Sequence, residues 1–291
     1  MIPKDLVTKI RRLEIRTRGM VENVFGGEYH TAFKGRGIEF AEVRPYQLGD
    51  DIRTIDWNVS ARMDEAYVKV YEEEREQTVV LVLDVSASGA FGTRRKMKRD
   101  VAAEVAAVMA FSAVQNSDTV GLLLFTDTVE AFFPPKKSRR HVLRLIREVF
   151  TIDPERRGTD IQEALQYLSH ILRRRAIVVL ISDFLDDGFE TSLRAMAKRH
   201  DTIAVELVDP REEELPPVGL VDLTDAETGE TRTVDARSPT VQQDFAAAAR
   251  ARREALAAQF RRAGVGHVPV RTDADPVEPL ITFFRRRNRM R

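Results

Sequence analysis

The sequence predicts an α/β protein built on a doubly wound, mostly parallel sheet. From Thr78 onward, short runs rich in Val, Ile and Leu alternate with longer segments in which apolar residues recur every three or four positions. Runs of the first kind are typical of strands buried on both faces, and segments of the second kind are typical of amphipathic helices. Strands and helices in alternation build a parallel sheet with helices on both of its faces.

The predicted strands are, in chain order, TVVLVLD (78–84), TVGLLLF (119–125), VEAFFPP (129–135), AIVVLIS (176–182), TIAVELVD (202–209) and GHVPVR (266–271). The run VEAFFPP is predicted to be an edge strand closed by its two prolines, because proline cannot donate a hydrogen bond within a sheet. The predicted helices follow Gly92, cover HVLRLIREVF (141–150) and TDIQEALQYLSHIL (159–172), and extend from about Pro239 to Ala263.

Two segments break this alternation. Residues 20–77 are rich in glycine and turn signals, and residues 209–237 resemble a β-hairpin joined across Thr228 and Gly229. Neither segment has enough apolar residues for a core of its own, so we expect the two to pair into one small discontinuous β subdomain. The expected organisation is then an N-terminal segment with the β subdomain (1–77), the first part of the α/β domain (78–208), a hairpin insert (209–237) and the last part of the α/β domain (238–291).

Composition excludes several classes of protein. The 46 basic and 46 acidic side chains cancel, so no global charge favours nucleic acid as a partner. The absence of cysteine excludes disulfides and thiolate metal sites. No apolar run is long enough for a membrane span, and the first residues do not resemble a secretory signal. We therefore expect a soluble, cytoplasmic protein.

Oxygen-bearing side chains follow the predicted strands. Asp84, Ser86 and Ser88 end the first strand, Thr159 opens a later helix, and Asp183 follows the strand AIVVLIS. Because the carboxyl ends of parallel strands meet at one edge of a sheet, these side chains are expected to converge there. Hydroxyls with a few carboxylates are the ligands of a hard cation, here Mg²⁺ or Mn²⁺.

A simpler interpretation is open for each motif taken alone. Asp and Ser are common N-caps, so the D-x-S-x-S motif could cap the helix that follows the strand, and Thr159 or Asp160 could cap the next helix. The metal site is favoured because the motifs occur in order at the strand ends or following loops of one predicted sheet.

Together, D-x-S-x-S after the first strand, the later threonine and the final S-D resemble the metal-ion-dependent adhesion site of von Willebrand factor A domains. The resemblance covers about residues 78–208 and 240–291. It implies that Ser86 and Ser88 contact the metal directly and that Thr159 does so directly or through water. It implies that Asp84 and Asp183 act largely through water. Two protein carboxylates leave Mg²⁺ short of its octahedral ligands, so an open position remains that an acidic side chain of a partner protein can fill.

Nearly the whole chain is also similar to a bacterial family named as domain of unknown function 58. The similarity is carried by GRGIEFAEVRPYQLGDDIRTIDWN, by DPREEELPPVGLVDLTDAETGE and by the closing LITFFRRR. Members of that family often accompany a MoxR-type AAA+ ATPase. The resemblance therefore implies an adaptor or co-chaperone of such an ATPase.

The stretch RPYQLGDDIRTIDWN has two interpretations. The favoured one is a salt-bridged turn region anchored by a half-buried Trp57. The other is a partner surface, because Arg, Tyr and Trp are typical of interface hot spots.

Two classes of function compete for the predicted site. The first, which we favour, is a metal-dependent protein-binding module without enzymatic activity. The alternative is a metal-dependent phosphoesterase or phosphotransferase with Asp84 as nucleophile. The sequence has no G-x-x-x-x-G-K-[ST] phosphate loop, and its five histidines are scattered without metal-ligand spacing.

Overall fold

The computed structural model describes residues 4–20, 25–33, 39–63, 65–72, 76–92 and 96–289. The chain forms two compact units. The larger contains Met1–Ala32 and Thr78–Arg291, and the smaller contains Phe33–Gln77.

The helices are α1 (Lys4–Met20), α2 (Gly26–Ala32), α3 (Trp57–Met63), α4 (Lys98–Gln115), α5 (Arg139–Thr151), α6 (Ile161–Ile171), α7 (Glu190–Arg199), α8 (Pro210–Glu213), α9 (Pro239–Ala263) and α10 (Val277–Arg289). The strands are β1 (Glu39–Pro45), β2 (Tyr67–Glu72), β3 (Thr78–Asp84), β4 (Thr119–Phe125), β5 (Val129–Lys136), β6 (Ile177–Ser182), β7 (Asp201–Val208), β8 (Leu220–Thr224), β9 (Thr231–Asp235) and β10 (Gly266–Arg271).

A six-stranded sheet in the order β10-β7-β6-β3-β4-β5 organises the larger unit. All neighbouring pairs are parallel except β4 with β5. The predicted α/β class with a mostly parallel sheet is therefore confirmed. The strand order reverses at β3, which has β4 on one side and β6 on the other.

The edge strand β5 does not end at its prolines, as the sequence suggested, but continues to Lys136. An edge strand has no neighbouring strand on its outer side. The two prolines, which lack an N–H group, therefore remove no hydrogen bond between strands on that side. The register shifts between Val120 and Leu122. Gly121 lies there, and a Cβ on it would come 3.0 Å from both the Phe133 carbonyl oxygen and Pro135.

Helices α6, α7 and α9 bury their apolar residues in a core cluster with β3, β4, β6 and β7. Helix α4 packs against β3, β4 and β7 and also contacts α1, α2 and α5. It is therefore buried on most sides. Met97, the N-cap residue of α4, is 45% exposed.

The N-terminal segment differs from the prediction. The residues after Phe25 were interpreted as part of a glycine-rich β segment, yet Gly26–Ala32 form α2 within the larger unit. Phe25 and Tyr29 are fully buried, and both rings contact Phe284 of α10. Aromatic packing of this kind overrides the weak helix propensity of the two glycines.

The predicted joint β subdomain is not formed by the described residues. Strands β1 and β2 pair with each other, and β8 and β9 form a separate two-stranded sheet that belongs to the larger unit. The apolar residues of the β8–β9 hairpin are not gathered into a core: Leu220 and Leu223 are 76% and 37% exposed, and the cross-strand pair Val221 and Val234 is half-buried. The hairpin therefore leaves these residues exposed or half-buried instead of covering them in a joint subdomain.

In the smaller unit, β1 and β2 form an antiparallel hairpin with a short 3₁₀ turn and α3. Arg44 and Asp50 make a bidentate ion pair at 2.7 and 2.8 Å, so the expected salt-bridged turn is present. The expected anchoring role of Trp57 is wrong, because this residue is 72% exposed. Trp57 opens α3, and the side chain of the preceding Asp56 accepts hydrogen bonds from the backbone amides of Asn58 and Val59.

Candidate functional site

The candidate site lies at the carboxyl ends of β3 and β6, where the strand order reverses. Open α/β sheets bind ligands at such switch points. Asp84 is the last residue of β3 and Ser182 is the last residue of β6, and these two strands are direct parallel neighbours. The Ser182 hydroxyl donates to Asp84 Oδ2 over 2.6 Å.

Asp84 is held in a fixed orientation. Its Oδ1 accepts a hydrogen bond of 2.9 Å from the backbone amide of Ser86, while Oδ2 accepts from Ser182. Burial, and next the negative charge of Asp183, raise the pKa of Asp84 to about 7. The two predicted aspartates therefore lie close enough to repel each other, and a nearby cation would favour the ionised form of Asp84.

Ser86 and Ser88 present their hydroxyls side by side, with an Oγ–Oγ distance of 3.0 Å. They do not cap the helix that follows, because α4 begins at Lys98 with Met97 as its N-cap. Ser86 precedes a short 3₁₀ helix, Ala87–Ala90, without making a side-chain cap bond to it. The capping interpretation of D-x-S-x-S is therefore wrong for α4.

Thr159 lies in a loop that contacts the turn containing Ser86 and Ser88. The Ala87 amide donates to the Arg157 carbonyl over 3.0 Å, which joins the two loops. Asp160, not Thr159, caps α6 by accepting from the Glu163 amide over 2.8 Å. The Thr159 hydroxyl is thereby left to another partner: it donates to Glu227 Oε1 over 2.7 Å.

Asp183 is paired with a buried lysine that the sequence analysis missed. Lys98 Nζ lies 2.8 Å from Asp183 Oδ2 and also contacts Glu212 Oε1. Burial lowers the pKa of Lys98, but the charges of Asp183 and Glu212 outweigh that effect and raise it. Asp183 therefore has a fixed counter-charge within the protein.

Sequence signals for these additional residues were weak. Glu212 follows Asp209 in the D-x-x-E spacing of a capping box, and the structure forms that box at the start of α8. Lys98 had no signal beyond its place at the start of a helix. Glu227 lies in the hairpin turn, and its contact with Thr159 joins residues 68 positions apart in the chain.

The residues at this edge fit a hard cation. Oxygen ligands lie about 2.1 Å from Mg²⁺ in an octahedron, so adjacent ligands lie about 3.0 Å apart. The pair Ser86–Ser88 has this spacing, and the pair Thr159–Glu227 is close to it. The same distances are those of the hydrogen bonds that the two residues of each pair make with each other.

The acidic side chains at this edge of the sheet also favour a bound cation. Burial raises the pKa of Glu212 and of Glu227, as it does that of Asp84, and for both the charge of Asp183 adds to the effect. The ammonium group of Lys98 faces two of the carboxyl groups at this edge, those of Asp183 and Glu212. The described residues contain no cluster of three or more His, Asp or Glu side chains arranged to hold a metal. Any metal here would therefore depend on hydroxyl ligands.

The fold and these strand ends define a mixed α/β protein with a candidate cation site at the switch point of its sheet. The chain belongs to the family described as "Protein of unknown function DUF58", whose sequence profile matches residues 42–255. An uncharacterised protein of Mycobacterium tuberculosis is 36% identical over 287 residues, which cover 98% of this chain and 90% of that protein. The protein YeaD of Bacillus subtilis is 28% identical over 109 residues, which cover 38% of this chain and 25% of that protein.

Among solved structures, the chain is similar to the conserved hypothetical protein BatB of Bacteroides thetaiotaomicron. The TM-score is 0.47 at 16% identity, and the match covers 73% of this chain and 99% of that one. An aerotolerance-related membrane protein of Bacteroides fragilis gives a TM-score of 0.45 at 15% identity, covering 74% of this chain and all of that one. These scores are too low to carry any inference about function.

Within the described residues, no helix combines the length and the apolar character that crossing a membrane requires.

Proposed function

We propose that this protein is a metal-dependent protein-binding module in which a von Willebrand factor A-like domain carries an adhesion-type site for Mg²⁺ or Mn²⁺. The residues proposed to hold the ion are Asp84, Ser86, Ser88, Thr159 and Asp183. The observation that supports this most is the paired hydroxyls of Ser86 and Ser88, 3.0 Å apart beside the carboxylate of Asp84.

The protein's own residues have distinct roles in this proposal. Ser86 and Ser88 offer neutral oxygens, which keep the bound ion strongly electrophilic. Asp84 supplies charge from a carboxylate that Ser182 and the Ser86 amide hold in place. Asp183 contributes less charge, because Lys98 already neutralises part of it. When bound, the ion would offer an open coordination position to an acidic side chain of another protein.

The proposed partner class comes from the family resemblance. Members of the family that this chain resembles often accompany MoxR-type AAA+ ATPases, and we propose that this chain acts as an adaptor or co-chaperone of such an ATPase or presents a client to it. An acidic side chain of that partner would contact the metal, so binding would require the metal.

The first experiment measures the metal. Calorimetric titration of the full chain with Mg²⁺ or Mn²⁺ should show binding that Asp84→Ala removes. Asp244→Ala, at an exposed position in α9 of the same unit, is the matched control and should bind as the wild type does. Equal affinity in the Asp84 variant would remove the basis of the proposal.

The second experiment measures the partner and the alternative activity together. Binding to the purified MoxR-type ATPase should be lost in EDTA and in Ser86→Ala. A phosphatase screen of the same samples addresses the alternative, a phosphoesterase or phosphotransferase with Asp84 as nucleophile. Hydrolysis that disappears in Asp84→Ala would favour that alternative over the binding module.

A further inference from the structure

The contact between Thr159 and Glu227 brings an acidic side chain of the protein's own chain to the candidate metal site. Thr159 Oγ1 and Glu227 Oε1 are 2.7 Å apart. Glu227 is half-buried, whereas its neighbours Asp225, Ala226 and Thr228 in the hairpin turn are exposed. The turn therefore directs one carboxylate inward, toward a residue of the site.

The turn is built to present this side chain. The Asp225 carboxylate accepts hydrogen bonds from the backbone amides of Glu227 and Thr228, at 2.8 and 3.1 Å. Gly229 has φ +74°, a conformation that glycine adopts without strain. The Gly229 amide also donates to the Asp225 carbonyl over 2.9 Å. These bonds fix the backbone on both sides of Glu227, so little conformational entropy is lost when its side chain contacts the site.

The strands that carry the turn are suited to reversible movement. Every residue of β8 and β9 is exposed or half-buried. The hairpin is closed at its base by the Ala236 amide, which donates to the Gly219 carbonyl over 2.8 Å, and Ala236 itself is fully buried. Lifting the tip away from Thr159 would therefore expose little apolar surface.

We propose that Glu227 fills the open position of the metal site in cis, so that the β8–β9 hairpin closes the site to an external carboxylate until the hairpin is displaced. This inference rests on the proposed function. It assigns to the chain itself the acidic ligand that a partner would otherwise supply, and it makes the hairpin a competitor of that partner.

The test is a Mn²⁺ titration of the full chain followed by water-proton relaxation, which reports how many exchangeable waters remain on the bound ion. Glu227→Ala should weaken Mn²⁺ binding by about tenfold or more, the scale seen when a group that supports a metal site is lost. The same variant should increase the relaxation enhancement per bound ion, because water replaces the carboxylate. Glu230→Ala, which removes an exposed acid from the same turn, should change neither quantity.

Glutarate, a small dicarboxylate, serves as the external carboxylate. It should lower the relaxation enhancement of the Glu227→Ala protein by displacing the new water, and it should have less effect on the wild type. If wild type and Glu227→Ala bind Mn²⁺ with the same affinity and the same enhancement, the inference is overturned while the proposed function stands. If neither protein binds Mn²⁺, the proposed function fails and this inference fails with it.

Discussion

Lys98 and Asp183 form an enclosed ion pair: Lys98 Nζ lies 2.8 Å from Asp183 Oδ2, and their side chains are 1% and 4% exposed. Glu212, 114 residues away in the chain, contacts the same ammonium group. Lys98 therefore links the start of α4 to the end of β6 and to α8, and it positions one carboxylate of the candidate site.

Removing the ammonium should destabilise the fold. Lys98→Met leaves the buried Asp183 and the half-buried Glu212 without their counter-charge. Removing one partner of a buried ion pair typically costs about 3–5 kcal/mol in the free energy of unfolding. Urea denaturation measures the loss. Lys96→Met is a matched control, because Lys96 pairs with Glu104 at 2.6 Å but its side chain is 27% exposed. It should cost less than about 1 kcal/mol. Equal losses in the two variants would show that the enclosure of Lys98 is energetically unimportant.

The two aspartates of the site should differ in their effect on metal binding. Asp84 accepts hydrogen bonds from neutral donors, the Ser182 hydroxyl and the Ser86 amide, whereas Asp183 faces Lys98. Asp84→Asn should therefore abolish the metal-dependent rise in Tm, and Asp183→Asn should only reduce it. At a metal concentration of about 100 times Kd, the wild type should gain about 2.7 kcal/mol over the protein in EDTA. A greater loss of the metal effect in Asp183→Asn than in Asp84→Asn would reverse the assigned roles.

The local parts of the site could be predicted from the sequence, because each depends on neighbouring residues. A buried strand that ends in Asp84 and leads into Ser86 and Ser88 is visible in the order of the residues, and so is the later strand that ends at Ser182. The α/β alternation predicts that the carboxyl ends of these parallel strands meet at one edge of the sheet. It does not predict that the two strands are direct neighbours, because that depends on the order of the strands in the sheet.

The remaining contacts join distant parts of the chain and could not be predicted. The contact between Lys98 and Glu212 joins residues 114 positions apart, and the contact between Thr159 and Glu227 joins residues 68 positions apart. Which charged residues meet depends on how the short helix α8 and the hairpin are placed on the sheet. Helix α2 was also missed, because its two glycines indicate a turn and tertiary packing decides otherwise.

The hydroxyl of Tyr29 should stabilise the attachment of α2. It donates to Asp118 Oδ2 over 3.0 Å, and both residues are buried. Tyr29→Phe removes this donor from a buried carboxylate, which should cost about 1–3 kcal/mol in the free energy of unfolding. Urea denaturation measures it, with Tyr167→Phe as the control. The ring of Tyr167 is half-buried against Phe132, and its substitution should change stability by less than about 0.5 kcal/mol. No difference between the two variants would contradict the prediction.

Trp57 should behave as a surface residue. It is the single tryptophan of the chain and is 72% exposed, so acrylamide should quench the fluorescence of the folded protein almost as well as that of the unfolded protein. Trp57→Ala should change the free energy of unfolding by less than about 0.5 kcal/mol, because the exposed ring buries little apolar surface in the folded protein. Strong protection from the quencher would show that the ring is covered in solution.

His200 should make the fold sensitive to mild acid. It is the C-cap residue of α7 and is buried, and its Nδ1 accepts from the Ala176 amide over 3.2 Å. No hydrogen-bond partner among the described residues reaches Nε2. Burial, followed by the charges of Arg199 and Arg175, lowers the pKa of His200. The folded protein therefore prefers the neutral ring, so this stabilisation is present above the ordinary pKa of about 6.5 and is lost as the pH falls from there through the folded-state pKa.

Urea denaturation between pH 8 and pH 5 measures the effect of His200. The free energy of unfolding of the wild type should fall with decreasing pH by up to about 1.4 kcal/mol per pH unit more than that of His200→Asn. Asparagine keeps an oxygen that can accept from the Ala176 amide but cannot take up a proton in this range. His170→Asn, at an exposed position in α6, is the control and should keep the slope of the wild type. Parallel slopes for the wild type and His200→Asn would mean that protonation of His200 does not oppose folding.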